Sequence, residues 1–353
     1  MKTPNLFILF LFSCLITSTT IYGQDTAKVK AIINRGIALH DSAKYSEAID
    51  KYKEALKLDP GNLHAQYEMS FTMVSSGRQD EAIPVLEKVC PSNEYAEAYD
   101  LLASIYDDKK DYTKALAIYK QGLAAFPKYQ RLYFNLGISY LRQEKYPEAE
   151  ENAIKAITLN PKHASSQRLY ALAMYHRHRD VASIMAFCSF LMLEPQTNRS
   201  AEAYQYIQKI FLAGVKVDTV NGKKSITITV QDNKAGDDDF GLQTMVATLG
   251  ASSYYDDDKN KNQSGIDILN DQLTSIFKVA GEIQEKKKHK DFFWKYYAEF
   301  FYKLTKTDNM PAFIRLVSLS GYHDENLKWF KENDYKLKAL SSWVASAKRE
   351  TGE

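Results

Sequence analysis

The sequence predicts a mostly α protein: an α-solenoid of about five helix pairs over residues 29–197, then a helical C-terminal domain, 198–353, carrying one β-hairpin near 215–230. Three features point there. Two series of small residues repeat every 33 or 34 positions through the first half of the chain. Prolines close most of those repeats. Beyond about residue 197 the period stops, and Asn221-Gly222 stands between two apolar alternations, the strongest short hairpin signal.

The first series is Gly36, Ser70, Ala103, Gly137 and Ala171, and the second is Ala48, Ala82, Ala115, Ala149 and Ser183. Both step by 34, 33, 34 and 34, a shared register that chance does not readily produce. Pro60, Pro127, Pro161 and Pro195 close four of the five units. Each unit reads as two amphipathic helices, A and B. In the first, Ile32, Gly36 and Leu39 mark helix A, and Asp41-Ser42 interrupts it. Ala48, Tyr52, Ala55 and Leu56 then recur at helical spacing in helix B. Asp59-Pro60-Gly61 stops helix B, because proline has no N–H to donate and disfavours helix in the residue before it. The small residues belong where A crosses B, and Tyr52, Tyr119 and Phe187 fill the space between neighbouring pairs.

These residues resemble the tetratricopeptide repeat family over positions 29–197. The second unit departs from the pattern, with Glu94 for the closing proline and Leu86 for the aromatic. The fifth has Ser183 for the helix-B alanine and Phe190 where a small residue is expected, as suits a terminal unit meeting a different domain. The resemblance implies a right-handed superhelix whose concave groove, lined by helix A, holds a peptide or protein. It places Ile33, Ile37, Tyr67, Phe71, Asp100, Asp107, Arg131, Phe134, Ile138, Leu141 and Arg168 on that groove. Family members that clamp acidic chaperone tails use paired Lys and Asn at fixed groove positions. Here Ile33, Ile37, Glu68 and Glu97 stand there, which argues against co-chaperone activity.

Residues 1–23 read as a secretory signal peptide: Lys2, an apolar stretch from Leu6 to Ile16, and a small residue before a cut between Gly23 and Gln24. The ending resembles export signals of Bacteroidetes. The stretch is too short to span a bilayer core of about 30 Å, and no later stretch reaches 18 apolar residues, so the mature chain is expected to carry no integral membrane segment. Leu11-Phe12-Ser13-Cys14 is a degenerate lipobox, which leaves lipidation at Cys14 as the alternative anchor. The expected location is exported, periplasmic or envelope-associated. Of the remaining cysteines, Cys90 and Cys188 sit in apolar helical contexts that suit packing rather than a disulfide.

The C-terminal part should begin with a helix from about Ala201 to Leu212. In the hairpin, Val217 falls opposite Ile226 and Val215 opposite Ile228, so the turn and the apolar alternation agree. Three or four helices should come next. Leu269, Leu273, Ile276, Ala280 and Ile283 make an amphipathic stripe, and residues 292–302 hold eight aromatics in eleven positions. Spread round a helix they cannot face one way, which predicts a central helix packed on several sides. A last helix is expected from about Glu325 to Arg349, with Leu327, Phe330, Leu337, Leu340 and Trp343 inward.

Composition excludes more than it assigns. The chain has 353 residues, 45% hydrophobic and 25% charged, which is ordinary for a globular protein. Its 46 basic and 44 acidic side chains nearly cancel, so no global field steers it to nucleic acid. Three cysteines cannot build a disulfide framework. Residues 256–267 have carboxylates near calcium-loop offsets, but Lys261 and Asp267 replace the required glycine and glutamate; the plain reading is a solvated loop with Ser264 capping the next helix. His176-Arg-His178-Arg-Asp180 falls at the turn of the fifth pair without a third metal ligand, and Asp180 reads as an N-cap. No cofactor or metal is expected, and no phosphate loop or nucleophile elbow occurs.

The resulting expectation is an exported, non-catalytic scaffold that binds a protein or peptide partner in its groove. Two alternatives stand beside it. One is a lipid-anchored or peripheral component of an envelope assembly or secretion complex; the other is a glycan-binding protein or hydrolase whose site lies in the C-terminal domain.

Overall fold

The computed structural model describes residues 26–220, 223–229, 237–252 and 263–351. The leader with Cys14, the hairpin tip Asn221-Gly222 and the acidic loop at 256–262 lie outside them. The described chain is helical apart from one two-stranded antiparallel sheet. It falls into two compact units, residues 1–132 and 133–353, dividing within the helix Gln130–Arg142.

The first unit contains α1 (residues 26–41), α2 (Tyr45–Leu58), α3 (Leu63–Ser75), α4 (Gln79–Val89), α5 (Ala96–Asp108) and α6 (Tyr112–Ala125). Consecutive helices pack in antiparallel pairs where the small residues require it. A Cβ on Gly36 would lie 2.6 Å from Cε1 of the fully buried Tyr52 ring, so only glycine lets α1 approach α2. Ser70, Ala103, Ala48, Ala82 and Ala115 are all fully buried. The missing proline of the second repeat has a replacement: α4 ends in a 3₁₀ turn, Cys90–Ser92, and Asn93 adopts a left-handed φ of 54° that caps it.

The second unit opens in α7 (Gln130–Arg142) and continues through α8 (Tyr146–Leu159), α9 (Ala164–His176) and α10 (Asp180–Leu193). Helix α10 is buried without a break from Val181 to Leu191. It packs on α9 and also on four later elements of the chain: α11 (Asn198–Leu212), α12 (Asp237–Ser252), a π-helical segment (Phe293–Ala298) and α15 (Met310–Val317). That double packing explains the departures at Ser183 and Phe190. The Ser183 hydroxyl, at the alanine position of helix B, donates to the Ala171 carbonyl at 2.9 Å and is satisfied inside the core.

Helix α11 starts three residues before the expected Ala201, because Thr197 and Ser200 form a capping box. Strands β1 (Val215–Val220) and β2 (Lys223–Ile228) pair in the expected register, Val217 with Ile226 and Val215 with Ile228. At their base Gly214 has φ +75°, and a Cβ there would sit 2.0 Å from the Thr229 carbonyl oxygen, so glycine is required. Helix α13 (Gly265–Lys286) carries the apolar stripe, and Ser264 and Asp267 form its capping box. The Asp267 carboxylate accepts from both the backbone N–H and the hydroxyl of Ser264, which engages the last carboxylate of the acidic loop.

The aromatic run is the centre of this unit, as its distribution predicts. Phe292, at the N-cap of the π-helical segment, Phe293, Trp294, Tyr296 and Tyr297 on it, and Phe300 and Phe301 on α14 (Glu299–Thr305) are all buried. Gln167 of α9 satisfies two of the phenols: its Nε2 donates to the Tyr296 hydroxyl at 3.0 Å, and the Tyr297 hydroxyl donates to its Oε1 at 2.5 Å. The expected last helix is instead two, α16 (His323–Glu332) and α17 (Asp334–Ser346), broken at Asn333. There φ −128° and ψ 35° leave the helical region, and the Trp329 carbonyl accepts from both the backbone N–H of Asn333, at 2.9 Å, and its side-chain amide, at 3.0 Å, which caps α16. Arg349 comes after α17, its guanidinium 3.6 Å from the Phe300 ring centroid and donating to Ser189 Oγ at 2.9 Å.

Candidate partner-binding surface

In the first unit, ring-bearing residues of three consecutive repeats form a ladder. Tyr45 meets His40 edge-on at 5.3 Å between centroids, and His40 lies 5.0 Å from Phe71. Phe71 stacks with Tyr67 at 6.4 Å, Tyr67 with Tyr95 at 5.6 Å, and Tyr95 with His64 at 6.4 Å. Helical spacing places Tyr67 and Phe71 one turn apart on α3, and Tyr95 joins them from the N-cap of α5. Phe71 is 39% exposed, which makes it one of the large apolar side chains the fold leaves open to water.

Carboxylates border the ladder. Glu68 lies 3.3 Å from His64, and Asp100, only 2% exposed, is held by Arg131 Nη2 at 3.0 Å. Burial pushes the Tyr129 phenol up to about 12, with the neighbouring Glu97 adding to it. Burial likewise raises Tyr67 well above its usual range, reinforced by Glu68 and Glu97. These phenols stay protonated at neutral pH and present O–H groups and flat apolar faces, a chemistry suited to peptide backbone and apolar or proline side chains.

The sequence-assigned groove residues divide. Tyr67 and Phe71 are on the ladder, Ile37 is half-buried beside the first turn, and Arg131 is exposed. Ile33 is 3% exposed, so it packs the interior of the first unit and does not present a face to a ligand. Asp100 and Asp107 are also buried, and Asp100 acts by fixing Arg131. In the second unit, Phe134, Ile138 and Leu141 are half-buried against the local core, Phe134 edge-on to His163 at 5.0 Å. Arg168 is paired with Glu202 at 2.6 Å. His40, Tyr45, His64 and Tyr95 fall outside the helix-A groove pattern. One signal was present: Tyr95, Tyr129 and His163 recur at steps of 34 at the entry to helix A, a third series in the same register.

Of the other segments singled out in the sequence, Asp180 is the first residue of α10 rather than its N-cap, and the capping position, Arg179, makes no side-chain cap bond. Cys90 and Cys188 are buried free thiols. Among the described residues no group of three or more His, Cys, Asp or Glu is placed to hold a metal, and no helix is long and apolar enough to cross a membrane.

A helix-pair array with an open aromatic face defines a class, and comparison with known proteins gives it a name. Residues 39–105, 96–129 and 131–163 each match tetratricopeptide repeat families, so this stretch is made of tetratricopeptide repeats. Among curated proteins, the chain is similar to the probable UDP-N-acetylglucosamine–peptide N-acetylglucosaminyltransferase SPINDLY of Hordeum vulgare, 27% identical over 37% of this chain and 15% of that protein. It is also similar to the protein O-mannosyl-transferase TMTC1 of Homo sapiens, 31% identical over 40% of this chain and 17% of that one. The chain spans less than a fifth of either relative's length. Similar solved structures are that of Pseudomonas aeruginosa pilF, 20% identical over 53% of this chain and 86% of that one with a TM-score of 0.49, and that of the MamA protein, 23% identical over 47% and 92% with a TM-score of 0.42.

Proposed function

We propose that the chain is an exported, non-catalytic tetratricopeptide repeat scaffold that binds a protein or peptide partner on the aromatic ladder of its first unit. The observation that carries this reading is the ladder itself: six rings from three repeats lie in one continuous series of contacts, and Phe71 on it is left open to water. Exposed aromatic rings on a rigid helical frame are what peptide-holding surfaces supply, because the rings bury large area at little entropic cost. Export is supported by the leader-like residues 1–23.

Affinity capture from native envelope extract tests the reading. The tagged chain is compared with a Tyr67→Ala, Phe71→Ala, Tyr95→Ala variant shown to be folded by circular dichroism. A protein retained by the wild type and lost by the variant supports ladder binding. Equal retention by both moves the binding surface elsewhere, and N-terminal sequencing of the mature chain checks the cut before Gln24.

A further inference from the structure

The second unit holds a cavity of about 280 Å³ between the turn of the fifth helix pair, α11, α12 and the base of the hairpin. Its polar wall comes from a five-residue alternation. Arg177 and Arg179 both pair with Glu150 on α8, and the intervening His176, His178 and Asp180 line the cavity. The two arginines of this turn are thus taken up outside the cavity, and the acidic side chain is left inside it. Asp180 makes no hydrogen bond or ion pair among the described residues. Burial holds its carboxyl above the ordinary range, with only His178 acting against that.

A second acceptor stands beside it. Gln243 of α12 is 7% exposed; its Nε2 donates to the His178 carbonyl at 2.7 Å, which fixes the amide's orientation. Its Oε1 is buried and has no partner among the described residues. An unsatisfied buried acceptor and an unpartnered carboxylate in one wall are costly to keep, and such costs concentrate at ligand sites. Ile210, Val246 and Ala247 add apolar lining.

We propose that this cavity binds a small organic monocation, a primary or secondary amine with a short apolar chain, using the Asp180 carboxylate as counter-ion and Gln243 Oε1 as a second acceptor. The apolar lining takes the chain, and the ammonium supplies donors to the Asp180 carboxylate and to Gln243 Oε1. Among the described residues no group of three or more His, Cys, Asp or Glu is placed to hold a metal ion, and the single carboxylate beside apolar lining suits an organic cation.

Isothermal titration of the purified full chain with n-butylamine, benzylamine and pyrrolidine, against 1-butanol and butyrate, tests this. The expected result is binding of at least one amine in the millimolar range or tighter, with butanol and butyrate weaker by about tenfold or more. Asp180→Asn should weaken the amine by about tenfold or more without lowering Tm. Ala247→Leu, which fills the cavity, should abolish binding in a chain whose circular dichroism is unchanged. The proposal is overturned if no amine binds up to about 10 mM, or if both folded variants bind the amine as the wild type does.

Discussion

The rings of Tyr67 and Tyr95 lie parallel, 11° apart with centroids separated by 5.6 Å, and join helix A of the second repeat to the entry of the third. Stacked pairs of this kind contribute about 0.5–1.5 kcal/mol beyond area burial. Tyr95→Ala should therefore lower stability by about 1 kcal/mol in urea unfolding, a change small enough to leave the fold intact for binding studies. A loss several times larger would mean that Tyr95 is a core residue and not part of an open surface.

Gly36→Ala should destabilise. In an open helix position this change stabilises by about 1 kcal/mol, but here the new methyl meets the buried Tyr52 ring. The clash should win, giving a net loss of about 1–3 kcal/mol by denaturant titration. Pairing it with Tyr52→Leu should recover part of that loss, and a Gly36→Ala protein more stable than wild type would contradict the crossing geometry.

Removing Arg131 leaves a buried carboxylate behind. Arg131→Ala should cost about 1–3 kcal/mol, because Asp100 then loses its charged donor, and adding Asp100→Asn should restore some of it. A double-mutant cycle reads the coupling directly; a value near zero would show that solvent, not Asp100, governs the exposed guanidinium.

Both described cysteines should resist modification in the folded chain. Burial pushes the Cys90 thiol up to about 12 and raises Cys188 further, so neither forms thiolate near neutral pH. Peptide mapping after maleimide treatment at about pH 7.5 should find both unlabelled until denaturant is added. Rapid labelling of Cys90 in native protein would show that the 3₁₀ turn opens.

The pH dependence at Asp180 has a definite sign. Its folded-state carboxyl titrates above the unfolded value, so the neutral form is favoured in the fold; that stability is present at acid pH and lost as pH rises through the folded value. At pH 7 Asp180→Asn should raise Tm, by about 2–4 °C if the relief is ~1 kcal/mol. The gap between variant and wild type should narrow as pH falls through the folded-state value, and a gap that widens would assign the carboxylate a stabilising partner.

Much of the helix-pair array is legible in the sequence because each crossing admits only a small residue, and crossings repeat at one spacing. The turn inside each pair is not legible. Ala43, Gly77, Lys110, Glu144 and His178 all have positive φ and recur at the same steps, yet only one is glycine. The neighbouring helices fix that conformation, so residue type carries no signal. The break at Asn333 is hidden for a related reason: an apolar stripe continues across it, and only the backbone conformation of that one residue ends α16. At the candidate surface, helix-A positions pointed to Tyr67 and Phe71, but the rings completing the ladder come from helix ends and entries, where periodicity within a helix says nothing.

Photo-crosslinking from position 71 tests the central claim most directly. A benzophenone amino acid replaces Phe71 in one chain and Leu159, 38% exposed on α8, in another, and both are irradiated in native envelope extract. The account predicts a discrete adduct from position 71 that disappears when Tyr67 and Tyr95 are changed to alanine, and none of that mass from position 159. The same adduct from both positions, or from position 159 alone, would contradict it.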